Sequence, residues 1–100
     1  MWMRSEMLQR KYYLICYDIE NTKKRNKLAK WLLNYGIRVQ KSVFEAYLSE
    51  RDLEEMMQGA KPFIENGDSL RVYELTSEAY RNKRVIGEQL DYLPWENVII

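Results

Sequence analysis

Apolar positions along the chain fall into blocks of different period, and the periods assign the elements. Tyr12-Tyr13-Leu14-Ile15-Cys16-Tyr17 is an unbroken apolar run without polar alternation. That is the pattern of a central strand covered on both faces, with Asp18 at its carboxyl end. Leu28, Trp31, Leu32 and Tyr35 recur at spacings of three and four, making one apolar helical stripe. Asn21 or Thr22 can cap this helix, and Gly36 is expected to end it as a left-handed cap. Residues 37–48 are β-prone through Val39, Val43, Phe44 and Tyr47, yet no standard hairpin turn is written there. Two short strands meeting near Lys41-Ser42 are expected, with one bent, bulged strand as the alternative. Ser49 and Asp52 form a weak capping-box variant ahead of a second amphipathic helix carrying Leu53, Met56, Met57, Ala60 and Ile64, which Pro62 should kink or end. Asn66-Gly67 then turns the chain into a strand over residues 69–75.

The resulting order, βαββαβ, predicts an α+β, ferredoxin-like fold with two helices on one face of an antiparallel sheet and the other face open. Arg84-Val85-Ile86-Gly87 and Asn97-Val98-Ile99-Ile100 supply further strand material. An additional C-terminal strand could join the sheet edge of a second chain, so a two-fold dimer is expected. A single domain spans residues 1–100, with a core over about 11–76 and a tail over 77–100 for dimer or partner docking.

Composition narrows the chemistry more than the fold. The chain is 46% hydrophobic and 31% charged, consistent with a packed, soluble domain. No apolar stretch approaches the roughly 18 residues of a membrane span, and residues 1–10 lack a signal-peptide core, so no membrane partner and a cytoplasmic location are expected. Cys16 is the only cysteine and reads as a small buried hydrophobe. Histidine is absent, which removes Ser-His and Cys-His nucleophile pairs, imidazole acid-base chemistry and a structural zinc site. Four glycines assemble neither a P-loop nor a dinucleotide fingerprint. Catalysis, if any, falls to carboxylates, Lys, Tyr or a metal ion.

A net charge of +1 conceals a strong asymmetry. Residues 1–51 hold 11 basic and 5 acidic side chains, whereas residues 52–100 hold 5 and 10. Asp18 is followed within one helical segment by Lys23, Lys24, Arg25, Lys27 and Lys30. This sets a metal-capable carboxylate beside a phosphate-seeking surface. The competing readings are an ordinary solvated helix face and an Asp that bonds nearby backbone amides at a strand-to-helix junction.

Tyr17-Asp18-Ile19, Arg25-x-Lys27, Gly36-x-Arg38-x-Gln40-x-Ser42-Val43-Phe44-Glu45 and Asp68-Ser69-Leu70-Arg71-Val72-Tyr73-x-Leu75 together resemble the CRISPR-associated adaptation proteins of the Cas2 family. Four blocks in order, between about Tyr12 and Gly87, make the resemblance specific. It implies a homodimer that binds duplex DNA and joins a dimer of the CRISPR integrase, Cas1, in spacer acquisition. It also implies a disputed endonuclease activity on single-stranded RNA or double-stranded DNA, with Mg2+ or Mn2+ held between two subunits. On this resemblance Asp18 is the metal ligand, and Asp18, Tyr17 and Arg38 are the candidate catalytic set. Arg25, Lys27, Lys30 and Arg38 are candidates for nucleic-acid binding, and Phe44 lines the cleft, although its place inside a strand favours the core. Two alternatives stand beside this reading: a stand-alone ribonuclease toxin related to virulence-associated D proteins, and a small-ligand regulatory ferredoxin-like module.

Overall fold

The structure is a computed structural model, and it describes residues 9–87. Strand β1 (Arg10–Asp18) leads into helix α1 (Thr22–Leu32), followed by β2 (Gly36–Gln40), β3 (Val43–Ser49), α2 (Glu50–Ala60), a 3-10 turn (Lys61–Phe63), β4 (Ser69–Leu75) and a short helix α3 (Ser77–Arg81). The four strands form one sheet in the order β2-β3-β1-β4, with every neighbouring pair antiparallel. Order and direction together are those of the ferredoxin-like fold.

Strands β1 and β3 are the inner pair, and β1 is paired along its whole length, with β3 over residues 10–16 and with β4 over residues 12–18. Its alternation sends Tyr13, Ile15 and Tyr17 into the main core, where Leu28, Ala29 and Leu32 of α1, Phe44, Ala46 and Leu48 of β3, and Met56 and Ala60 of α2 complete the packing. On the opposite face Leu14 and Cys16 are half-buried, while Tyr12 is fully covered. The cover is α3. Tyr80 stacks on Tyr12 at 4.2 Å between ring centroids, and Tyr47 packs on Tyr12 at 4.5 Å. Among the described residues, the expected open face is therefore uncovered only over the part of the sheet nearer Asp18.

Helix starts follow the residues that can cap them. Asn21 caps α1, accepting the Lys24 amide at 2.9 Å, and Ser49 caps α2, accepting the Asp52 amide at 3.2 Å. Ser49 is buried, so Ser49→Ala should lower stability by about 1 kcal/mol and the melting temperature by about 4–8 °C, measurable by thermal unfolding. The 3-10 turn containing Pro62 ends the second helix after Ala60, and Gly67 supplies the positive φ of +89° at the expected turn into β4.

Two expectations are corrected. Gly36 is not a left-handed cap; it opens β2, and a Cβ there would stand 2.3 Å from the Glu45 carbonyl oxygen. Glycine is required by close backbone approach rather than by φ. Arg84-Val85-Ile86-Gly87 forms no strand; the chain uses residues 77–81 as a helix capped by Thr76, whose hydroxyl accepts the Ala79 amide at 3.0 Å. Asn97-Val98-Ile99-Ile100 lies outside the described residues. The hairpin of residues 36–49 is two strands, with a register irregularity between Arg38 and Gln40 that combines both expected solutions.

Candidate functional site

Antiparallel register gathers four chain segments at one end of the sheet. Asp18, the last residue of β1, lies opposite Ser69, the first of β4; Cys16 pairs with Val43, so the β2–β3 turn sits at the same end, and α1 begins four residues after Asp18. Asp18 is exposed, and it lines a cleft of about 500 Å³ with Glu20, Arg25 and Asp68.

The loop behind Asp18 is pinned from two directions. Arg25 donates through Nη1 to the carbonyls of Ile19 (2.9 Å) and Glu20 (3.3 Å), and through Nη2 to the Thr22 hydroxyl (3.1 Å). Asp68 accepts the Glu20 amide at 3.2 Å with one oxygen and the Glu65 amide at 3.0 Å with the other. Lys24 adds an ion pair to Glu65 at 2.7 Å. Arg25, expected to meet phosphates, thus also holds the backbone that presents Asp18. Asp68 has the same holding role, which the sequence reading had not assigned. The only sequence signal for it was an Asp directly following a Gly turn, a position where carboxylates commonly bind nearby amides.

A second hub forms on the Lys41 carbonyl. It accepts the Tyr17 hydroxyl at 3.1 Å and Arg38 Nε and Nη2 at 3.0 and 2.6 Å. Tyr17 is buried, so its phenol is committed to fixing this turn beside Asp18. Phe44 is fully buried, 6.3 Å from the Tyr17 ring, and the Arg38 guanidinium lies 5.9 Å above it. Arg38 itself is exposed and, with five N–H donors, retains some for an external anion.

Along α1, Lys23, Lys27 and Lys30 are exposed at spacings of four and three, on one flank. The first turn of α1 contains no acid; Lys23, Lys24 and Arg25 occupy it instead. Cations at the positive end of a helix macrodipole oppose helix stability; Lys24 is answered by Glu65 and Arg25 by the Ile19 and Glu20 carbonyls, so Lys23 is the one of the three whose placement favours an external anion. Lys30, in the last turn, suits the dipole and needs no such explanation.

A divalent ion fits this end of the sheet only through shared coordination. Among the described residues no group of three or more acids or cysteines is placed to hold a metal. Asp68 spends both oxygens on amides, which leaves Asp18, with Glu20 near it, as the carboxylate chemistry of one chain. Magnesium commonly takes one or two carboxylates and completes its shell with phosphate oxygens and water.

Register also brings Arg71 onto the open face diagonally from Asp18, since Arg71 pairs with Cys16 and Ser69 with Asp18. Strand alternation in the sequence contained that relation, but only the pairing of β4 with β1 revealed it.

Residues 11–83 match the family model for CRISPR associated protein Cas2. A CRISPR-associated endonuclease Cas2 of Thermus thermophilus is 43% identical over 70 residues, covering 69% of this chain and 78% of that protein. A CRISPR-associated endoribonuclease Cas2 of a Synechocystis species is 35% identical over 91 residues, covering 89% and 98%. A solved partial Cas6-RT-Cas1–Cas2 complex contains a chain that superposes with a TM-score of 0.59 at 35% identity, covering 76% of this chain and 90% of that one. A pinned acid at the strand end, a cation-bearing helix start and a match over most of the described residues agree: the chain belongs to the CRISPR-associated protein Cas2 family.

Proposed function

We propose that the protein works as a homodimer that binds duplex DNA and assembles with the CRISPR integrase Cas1 during spacer acquisition. The observation that carries the DNA-binding part is the start of α1, where Lys23 is exposed and, among the described residues, in no ion pair at a helix end that disfavours cations. Exposed Lys27, Lys30 and Arg38 extend the same surface. Such contacts position a phosphate backbone without reading sequence. Assembly with Cas1 is supported by likeness to a chain of a solved Cas6-RT-Cas1–Cas2 complex.

Salt titration of duplex binding tests this directly. The log-log slope should be steep, about −0.9 per phosphate contacted, and Lys27→Gln with Lys30→Gln should make it shallower by about 1.8. An unchanged slope in the double variant would remove Lys27 and Lys30 from the interface.

A second reading, metal-dependent phosphodiester cleavage, is favoured by the exposed and backbone-pinned Asp18 and by the nuclease names of the relatives. Asp18 would hold Mg2+ or Mn2+ together with its counterpart in a second subunit. When bound, that ion supplies water activation and neutralisation of phosphate charge. Arg38 then steadies the developing negative charge, Arg25 and Asp68 keep the Asp18 loop in register, and Tyr17 keeps the neighbouring turn in place. The substrate could be single-stranded RNA or double-stranded DNA.

A further inference from the structure

A second cleft, of about 510 Å³, opens at the other end of α1, between that helix, the first turns of α2 and the part of β3 that β2 does not reach. Its walls are aromatic and acidic: Trp31, Tyr35 and Tyr47 with Asp52 and Glu55, and Arg10 at the side. Trp31 is locked. Its indole N–H donates to the Met56 carbonyl at 2.9 Å, and its ring presses on Gly59, where a Cβ would come within 2.1 Å of Cζ2. Tyr35 packs against it edge-on at 5.1 Å. Neither Asp52 nor Glu55 is in an ion pair among the described residues. The Tyr35 pKa is raised first by burial and then by Glu55 and Asp52, as expected where the local potential is negative.

We propose that this cleft docks an arginine side chain of a protein partner, with the guanidinium against the Trp31 and Tyr35 rings and facing Asp52 and Glu55. A planar, weakly hydrated guanidinium stacks on aromatic faces and pairs with carboxylates in fork geometry, which an ammonium does not. A nucleic acid is the wrong occupant, because its phosphates would meet two carboxylates. Residues 88–100 contain no Lys or Arg, so that segment has no cation to offer. The cleft and the cationic start of α1 lie at opposite ends of an 11-residue helix, about 16 Å apart, so protein and DNA can be held together. The proposal goes beyond the DNA-binding reading and does not rest on it.

The test is an NMR titration of the full chain with Nα-acetyl-arginine amide, following the Trp31 indole N–H, with the citrulline analogue as the neutral control. A saturable shift is expected for the arginine probe alone, and Glu55→Gln should weaken it about fivefold or more while leaving the amide spectrum folded. An equal response to citrulline, no saturable shift, or unchanged affinity in Glu55→Gln would overturn the proposal. Arg4→Gln should bind the probe as the parent does. Binding about tenfold tighter in that variant would show the cleft filled by the chain's own Arg4, and would equally overturn a partner's arginine.

Discussion

Asp18→Asn is expected to reduce magnesium-dependent cleavage by about 100-fold or more while leaving duplex binding and spacer acquisition intact. A carboxylate shared with a divalent ion contributes several kcal/mol to such a reaction, and each 1.36 kcal/mol is a factor of ten. Asn keeps the size and loses the charge the ion needs. Asp18 is exposed, and the bonds that hold its loop come from Arg25 and Asp68, so the fold should change by less than about 0.5 kcal/mol. Cleavage assays with magnesium and an acquisition assay read the two activities separately. Acquisition that persists as cleavage disappears identifies a scaffold that carries a dispensable nuclease. Cleavage that survives shows that Asp18 is not the ligand, and acquisition that fails shows that the site serves adaptation itself.

The largest loss of stability should come from Phe44→Ala, at about 3–5 kcal/mol. Phe44 has no exposed surface and sits in the main core between the two helices and β1. At about 4–8 °C per kcal/mol for a domain of this size, the variant should melt far below the parent or fail to fold. Phe44→Leu separates packing from site geometry. It keeps most of the volume and should cost less than about 1.5 kcal/mol, but it removes the aromatic face under the Arg38 guanidinium. Denaturant unfolding of both variants, with duplex binding by Phe44→Leu, decides whether the ring matters to the fold alone. Equal losses in the two variants would contradict a volume-based account.

Most of the elements were legible because local rules wrote them. The unbroken apolar run marked β1, Asn21 and Ser49 capped the helices, and Asn66-Gly67 made the turn before β4. Gly36 misled, because a glycine after a helical stripe looks like a cap, whereas the constraint here is a carbonyl from a strand nine residues further on. The helix of residues 77–81 was missed for a similar reason. It is short, and Tyr80 is held by stacking on Tyr12, a contact spanning the whole chain length of the core.

At the candidate site the division follows the range of the interactions. Residue type and order alone identified Asp18, Arg25, Lys27 and Lys30 as carriers of charge, since charge and spacing along a helix or strand are local properties, and the family resemblance added Arg38. That Arg25 and Asp68 fix the Asp18 loop, that Tyr17 and Arg38 share the Lys41 carbonyl, and that Arg71 lies diagonal to Asp18 were decided only by tertiary structure. The Arg25 and Arg38 bonds close within a few residues but need the loop geometry that packing sets, whereas Asp68 on Glu20, Tyr17 on Lys41 and Arg71 beside Asp18 depend on which strands become neighbours and in what register, and a one-residue slip would send Tyr17 and Arg71 to the opposite face.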